Sequence, residues 1–159
     1  MAKTIIRNNN VRKATVSFNR TPKLVKVSIS DPEELAYARE IADAEKWVCL
    51  RNFSLGTAKA MDWQMLQYWL YFTEGLATQF ITESELEKEE LQDTIERAQD
   101  AIIRTAQIYN NSAFKIMRMG IDDREYVREA FLLCDAFKPL FSDKAIEEIA
   151  IHVSNVIRG

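Results

Sequence analysis

The 159 residues are 47% apolar and 28% charged, with three tryptophans but only four glycines and three prolines, and the net charge of −3 is unevenly spread. Residues 1–30 carry +7 with no acid, while residues 31–159 carry −10. Such a chain can bury one core with a modest appendage, lacks the few-apolar, high-charge signature of disorder, and has too little turn punctuation for sandwiches, hairpin arrays or phosphate-cradling loops.

The first ten residues include Asn8, Asn9 and Asn10, poor formers of helix and strand, and read as a lead. Ala14–Phe18 and Leu24–Ile29 have the β-branched content and partial alternation of two short strands, with residues 19–23 as the turn. A basic hairpin is predicted there. An extended arm would have the same sequence appearance, since a lone two-stranded hairpin is marginal unless one face is covered.

Asp31-Pro32-Glu33-Glu34 predicts a helix start: a capping aspartate, a proline suited to the first position and two glutamates at the positive helix end. Leu35, Ala38, Ile41, Ala42, Glu45 and Val48 mark its mostly apolar stripe, so the helix should reach about Leu50, with a break at residues 52–56. Residues 57–81 are apolar around much of the circumference and predict the central helix, whose neighbours come from the body or from a dimer partner.

Thr82 and Glu85 have capping-box spacing ahead of a helix with the stripe Leu86, Leu91, Ile95, Ala98, Ile102, Ala106 and Tyr109. Asn110-Asn111-Ser112 predicts a bend or break before residues 113–119, and Gly120 a terminator. Asp122 and Glu125 have cap spacing for a helix to about Phe137, which Pro139 ends, and Ser142 caps a last helix bearing Ile146, Ile149, Ala150, Val153 and Ile157. The expected fold is therefore mainly α: a bundle of about five helices (31–159) preceded by a basic N-terminal arm or short β-hairpin (1–30).

His152 is the single histidine, which excludes multi-histidine metal sites and leaves one residue for any Cys–His or Ser–His–Asp system. It reads as a helix-edge side chain. The acid run 83–90 and the series Asp93, Glu96, Asp100 lack a glycine-turned calcium loop and a Glu-x-x-His motif, so neither predicts a metal. No Gly-x-Gly-x-x-Gly or phosphate-loop lysine occurs. No catalytic residue, cofactor or metal is expected, and the chain reads as a non-enzyme.

Cys49 and Cys134 lie in apolar helical surroundings and read as buried free thiols. Residues 1–10 lack a signal-peptide pattern, and Trp63–Ile81 is interrupted by Gln64, Gln67, Glu74 and Gln79, short of a bilayer span. A cytoplasmic chain without a membrane partner is expected. Trp63, Tyr68, Trp69 and Phe72 lack interleaved cations and read as core or oligomer packing rather than base-stacking residues.

The basic segment is the expected working surface, through Arg7, Arg12, Lys13, Arg20, Lys23 and Lys26. Its partner is either nucleic acid, held by the phosphate backbone, or an acidic protein surface; a homo-oligomer is expected in either case. Strand 24–29 followed by the capped start at 31–34 resembles ribbon-helix-helix DNA-binding proteins over residues 24 to about 70, which implies a dimeric ribbon. The long first helix and the lack of a short Gly-Ser turn depart from that pattern, and no family is assigned on it.

Overall fold

In the computed structural model, which describes residues 32–79 and 85–158, Pro32 stands at the first position of α1 (Pro32–Leu55). There the missing N–H costs no helical hydrogen bond. The helices α2 (Ala60–Gln79), α3 (Glu85–Asn111), α4 (Ile121–Phe137) and α5 (Asp143–Arg158) follow, with a short 3-10 turn at Lys138–Leu140. The described residues are mainly helical and contain no strand. The predicted arm or hairpin and the capping residues Asp31 and Thr82 lie outside them.

α1 runs one turn and a half beyond the expected end because the chain closes it with a Schellman motif. Gly56 takes φ 72°, its N–H donates to the Phe53 carbonyl (3.3 Å), and the Thr57 N–H donates to the Asn52 carbonyl (2.9 Å). A Cβ on Gly56 would meet nothing within 4 Å, so only backbone conformation opposes a side chain there. Gly56→Ala should therefore lower stability by about 1 kcal/mol in urea denaturation, the left-handed penalty without any clash.

Over the second half of α1 the buried face differs from the predicted stripe, of which the Leu35, Ala38 and Ala42 side chains lie outside what the structure describes. Ile41, Glu45 and Val48 point to solvent, whereas Lys46, Cys49, Leu50 and Phe53 are buried. These four residues have the spacing of one helix face; the lysine among them hides it from a polarity pattern.

α2 packs against all four other helices, so the chain itself supplies the neighbours that its apolar circumference requires. Trp63, Trp69 and Phe72 are buried and Tyr68 partly so. Trp69 meets Tyr68 and Phe72 edge to face at 5.5 and 5.3 Å, arrangements that favour the ring quadrupoles. The Trp63 indole N–H donates to the Ile102 carbonyl of α3 at 2.8 Å, and Gln99 of α3 donates to Glu74 of α2, so both buried polar groups find partners across the α2–α3 contact.

α3 ends at Asn111, and residues 112–120 form a non-helical connection. Gly120 does not terminate a helix. It is the N-cap of α4, with φ −65° and ψ 163°, and Asp122 with Asp123 occupies the first turn, where no side-chain cap bond forms. Asp123 instead accepts both Nε and Nη2 of Arg104 from α3, at 3.2 and 2.6 Å. Ser142 caps α5 as expected, its Oγ accepting the Ala145 N–H at 3.2 Å.

Candidate functional site

The polar centre of the molecule begins with Lys46, which the apolar face of α1 carries into the core: it is 0% exposed. A buried ammonium is stable only when paired and hydrogen-bonded. Lys46 Nζ lies 2.6 Å from Asp135 Oδ1 on α4, donates to the Asp43 carbonyl one helical turn back (2.9 Å), and sits 4.9 Å from the Trp69 ring centroid. Lys138, just past α4, mirrors this: its Nζ is 2.5 Å from Asp43 Oδ1 and 5.5 Å from the same Trp69 ring. Two ammonium groups thus share one indole face system, and each is paired with a carboxylate from the other segment. Cation–π attraction of this kind adds roughly 0.5–2 kcal/mol per cation depending on desolvation.

Trp47 completes the cluster. Its indole N–H donates to Asp135 Oδ2 at 2.9 Å, so that carboxylate is held on both oxygens, and its ring meets Phe131 edge to face at 5.8 Å. Beside this network opens a cleft of about 490 Å³ lined by Asp43, Trp47, Asp135, Lys138, Phe141 and Asp143, among others. Its lining offers carboxylates, one ammonium and two aromatic rings, and among the described residues no histidine, cysteine, serine or tyrosine. Two of its carboxylates, Asp43 and Asp135, are already paired with Lys138 and Lys46.

Cys134 adjoins this cluster, near Lys46, Asp135 and Lys138. Burial pushes Cys134 up to about 11, against the opposing pull of a hydrogen bond with Thr73 and the Lys46 ammonium. Burial also pushes Cys49 up to about 12, helped by Asp62, and Tyr68 up to about 12, helped by Cys134. These cysteines are free and buried, and protonated at neutral pH they lack the thiolate that nucleophilic chemistry requires.

Of the residues expected to carry function, Arg7, Arg12, Lys13, Arg20, Lys23 and Lys26 lie outside the described residues. Trp63, Trp69 and Phe72 are placed in the chain's own core, and Trp69 doubles as the floor under the two lysines. His152 is exposed on α5. Among the described residues no group of three or more histidine, cysteine, aspartate and glutamate side chains is placed to hold a metal ion, and no helix is long and apolar enough to cross a membrane.

The Lys46 cluster was missed by motif reasoning, yet the sequence holds a signal for it. Asp43-Ala-Glu-Lys46 and Asp135-Ala-Phe-Lys138 repeat one pattern, Asp-Ala-x-Lys. On a helix this spacing sets an acid one turn from a base. Here the two copies exchange partners, so that each lysine answers the aspartate of the other.

No protein-family model, curated protein or solved structure matches the chain.

Proposed function

We propose that the protein is a non-catalytic nucleic-acid-binding regulator or assembly subunit that contacts the phosphate backbone through Arg7, Arg12, Lys13, Arg20, Lys23 and Lys26. The observation that carries this reading is charge segregation: +7 in residues 1–30 against −10 in the rest. A polyanion is repelled by the body as a whole. Several of the body's cations are moreover engaged internally: Lys46 with Asp135, Lys138 with Asp43, Arg104 with Asp123 and Arg128 with Glu125. The acid-free segment is then the natural seat for phosphates, and the helical body is the scaffold that presents it.

Binding should weaken steeply with salt. If the six cations each neutralise one phosphate, replacing all six by glutamine in the full chain should reduce the slope of log K against log salt by about 4 on a single strand and about 5 on duplex DNA. A fluorescence-anisotropy titration at several salt concentrations measures this. Absence of binding by the parent protein at low salt, or a slope untouched by the substitutions, would overturn the reading.

A second reading, a helical protein-protein adaptor or inhibitor, or a structural subunit of a larger particle, is favoured by one feature of α1. Ile41, Val48 and Leu55 are each more than half exposed and stand seven residues apart on one face. That is the spacing of an interhelical seam. Sedimentation of the parent and of Val48→Glu tests the seam: a concentration-dependent dimer lost in the variant supports it, while the salt titration above distinguishes the two readings, since either is compatible with a homo-oligomer.

A further inference from the structure

The acidic body carries two acid-free stretches with three bases each, residues 46–61 and residues 101–121, and the second also exposes an aromatic ring. Between Asp100 and Asp122 there is no acid, and the bases are Arg104, Lys115 and Arg118. Arg104 is bound to Asp123, which leaves Lys115 and Arg118, both exposed and both in the connection between α3 and α4. Among the described residues Lys115 has no carboxylate partner. Its Nζ rests on the Asn110 carbonyl at the end of α3 (3.1 Å) and over the Tyr109 ring (5.7 Å), so two of its three protons are free for another acceptor. Arg118 makes no ion pair or hydrogen bond among the described residues.

Beside these cations stands Phe114, 87% exposed, the most exposed large apolar side chain among the described residues. The backbone holds it there. Ser112 accepts the Lys115 N–H on its carbonyl (3.3 Å) and the Ile116 N–H on its Oγ (3.4 Å), and Lys115 adopts φ 51°. Lysine is unfavourable in this left-handed region, and strain of this sort collects where a loop presents a side chain for use. Beyond it the chain alternates: Met117 and Met119 are buried, Ile116 and Arg118 exposed. The buried methionines anchor the segment to the core, so its outer face is presented on a fixed support.

We propose that this loop is a contact for single-stranded nucleic acid, in which Phe114 stacks on an unpaired base while Lys115 and Arg118 take neighbouring phosphates. The proposal rests on the nucleic-acid reading given above and adds a second point of attachment, on the body. An exposed aromatic ring flanked by cations is the pairing that single strands require: a π-face for any base and charge for the backbone. Duplex DNA keeps its bases stacked and would admit the ring only as a wedge. A flat anionic membrane is also disfavoured, because it would bring the −10 body within a Debye length of like charge along with the loop. A thread-like strand reaches the loop alone.

The test uses the full chain with fluorescent oligo-dT and a duplex of equal length at low salt. Phe114→Ala and Phe114→Leu should each lower oligo-dT affinity about tenfold or more, and Phe114→Trp should retain it, since stacking needs a ring and not merely apolar volume. Arg118→Gln should reduce the single-strand salt slope by about 0.7. These side chains are exposed, so thermal melts should be unchanged. The six-residue glutamine variant of the N-terminal segment separates the two readings. If it abolishes binding while Phe114→Ala matches the parent, the loop proposal fails and the segment reading stands; if Phe114→Ala weakens binding in both backgrounds, the loop contact stands by itself. Equal losses on duplex and oligo-dT, a Leu variant that binds like the parent, or Phe114-dependent binding to phosphatidylserine-containing vesicles without binding to oligo-dT would each overturn it.

Discussion

Lys46→Ala will lower the free energy of unfolding by about 2–4 kcal/mol in urea denaturation, whereas Lys46→Met will cost less than half as much. Two losses combine in the alanine variant. The four-methylene stem, wholly enclosed in the core, leaves a cavity against Trp69, and the ammonium is withdrawn from Asp135 and from the Asp43 carbonyl. Methionine refills the stem's volume and sets a polarisable thioether near the indole. The stranded carboxylate is the smaller problem, because the Asp135 side chain is 41% exposed and water can replace the ammonium there.

The opposite deletion is not equivalent. Asp135→Ala leaves a wholly buried ammonium whose remaining oxygen partners among the described residues are the Asp43 carbonyl at 2.9 Å and Asp43 Oδ1 at 4.0 Å. An unpaired buried cation is the costly partner to strand. Asp135→Ala should therefore destabilise more than Lys46→Met, and the pair of substitutions together should recover part of the loss. If Lys46→Met proved as damaging as Lys46→Ala, the ion pair rather than the stem would be what the core depends on.

The helices were legible because their ends carry local chemistry. Pro32 opens α1 and Ser142 caps α5 where the sequence puts them, and the stripe from Ile95 to Ala106 is buried as its period requires. What stayed hidden depends on contacts between distant segments. The face of the second half of α1 was misassigned because a polarity pattern scores Lys46 as surface, and Asp135 and Trp69, from two other helices, help make that position habitable for a lysine. The same holds at Gly120: a glycine after a helix reads as its end, but the chain had already left α3 at Asn111, and the residue begins α4 instead. The aromatic surplus of α2 left open whether its neighbours came from this chain or a partner, and four packed helices answer for Trp63, Trp69 and Phe72. The repeated Asp-Ala-x-Lys was readable, but its meaning was not, because within one helix it predicts a local pair and the structure uses it across two segments.

Raising the pH from 9 to 11 will remove on the order of 5 kcal/mol of stability through Cys49, Cys134 and Tyr68 together, at about 1.36 kcal/mol for each unit by which folded and unfolded proton affinities differ. The ordinary values are 9.0 for the thiols and 10.0 for the phenol, and burial raises them to about 12, 11 and 12 respectively. All three are neutral when protonated, so the folded state holds the proton more tightly than the unfolded chain. Their contribution is fully present below about pH 9, where both states are protonated. Above it the unfolded chain ionises first, and stability falls until the folded groups also ionise, near pH 11 to 12. A loss of this size approaches the whole stability of an ordinary domain, so the helical signal should begin to collapse in this window. Substituting both cysteines by alanine tests the share of the thiols. The variant will be less stable at pH 8 because two buried side chains are truncated, yet its stability should fall less steeply between pH 9 and 10, where the thiols of the unfolded chain ionise and those of the folded chain do not. Equal slopes for variant and parent would show that the alkaline loss does not arise from the buried thiols.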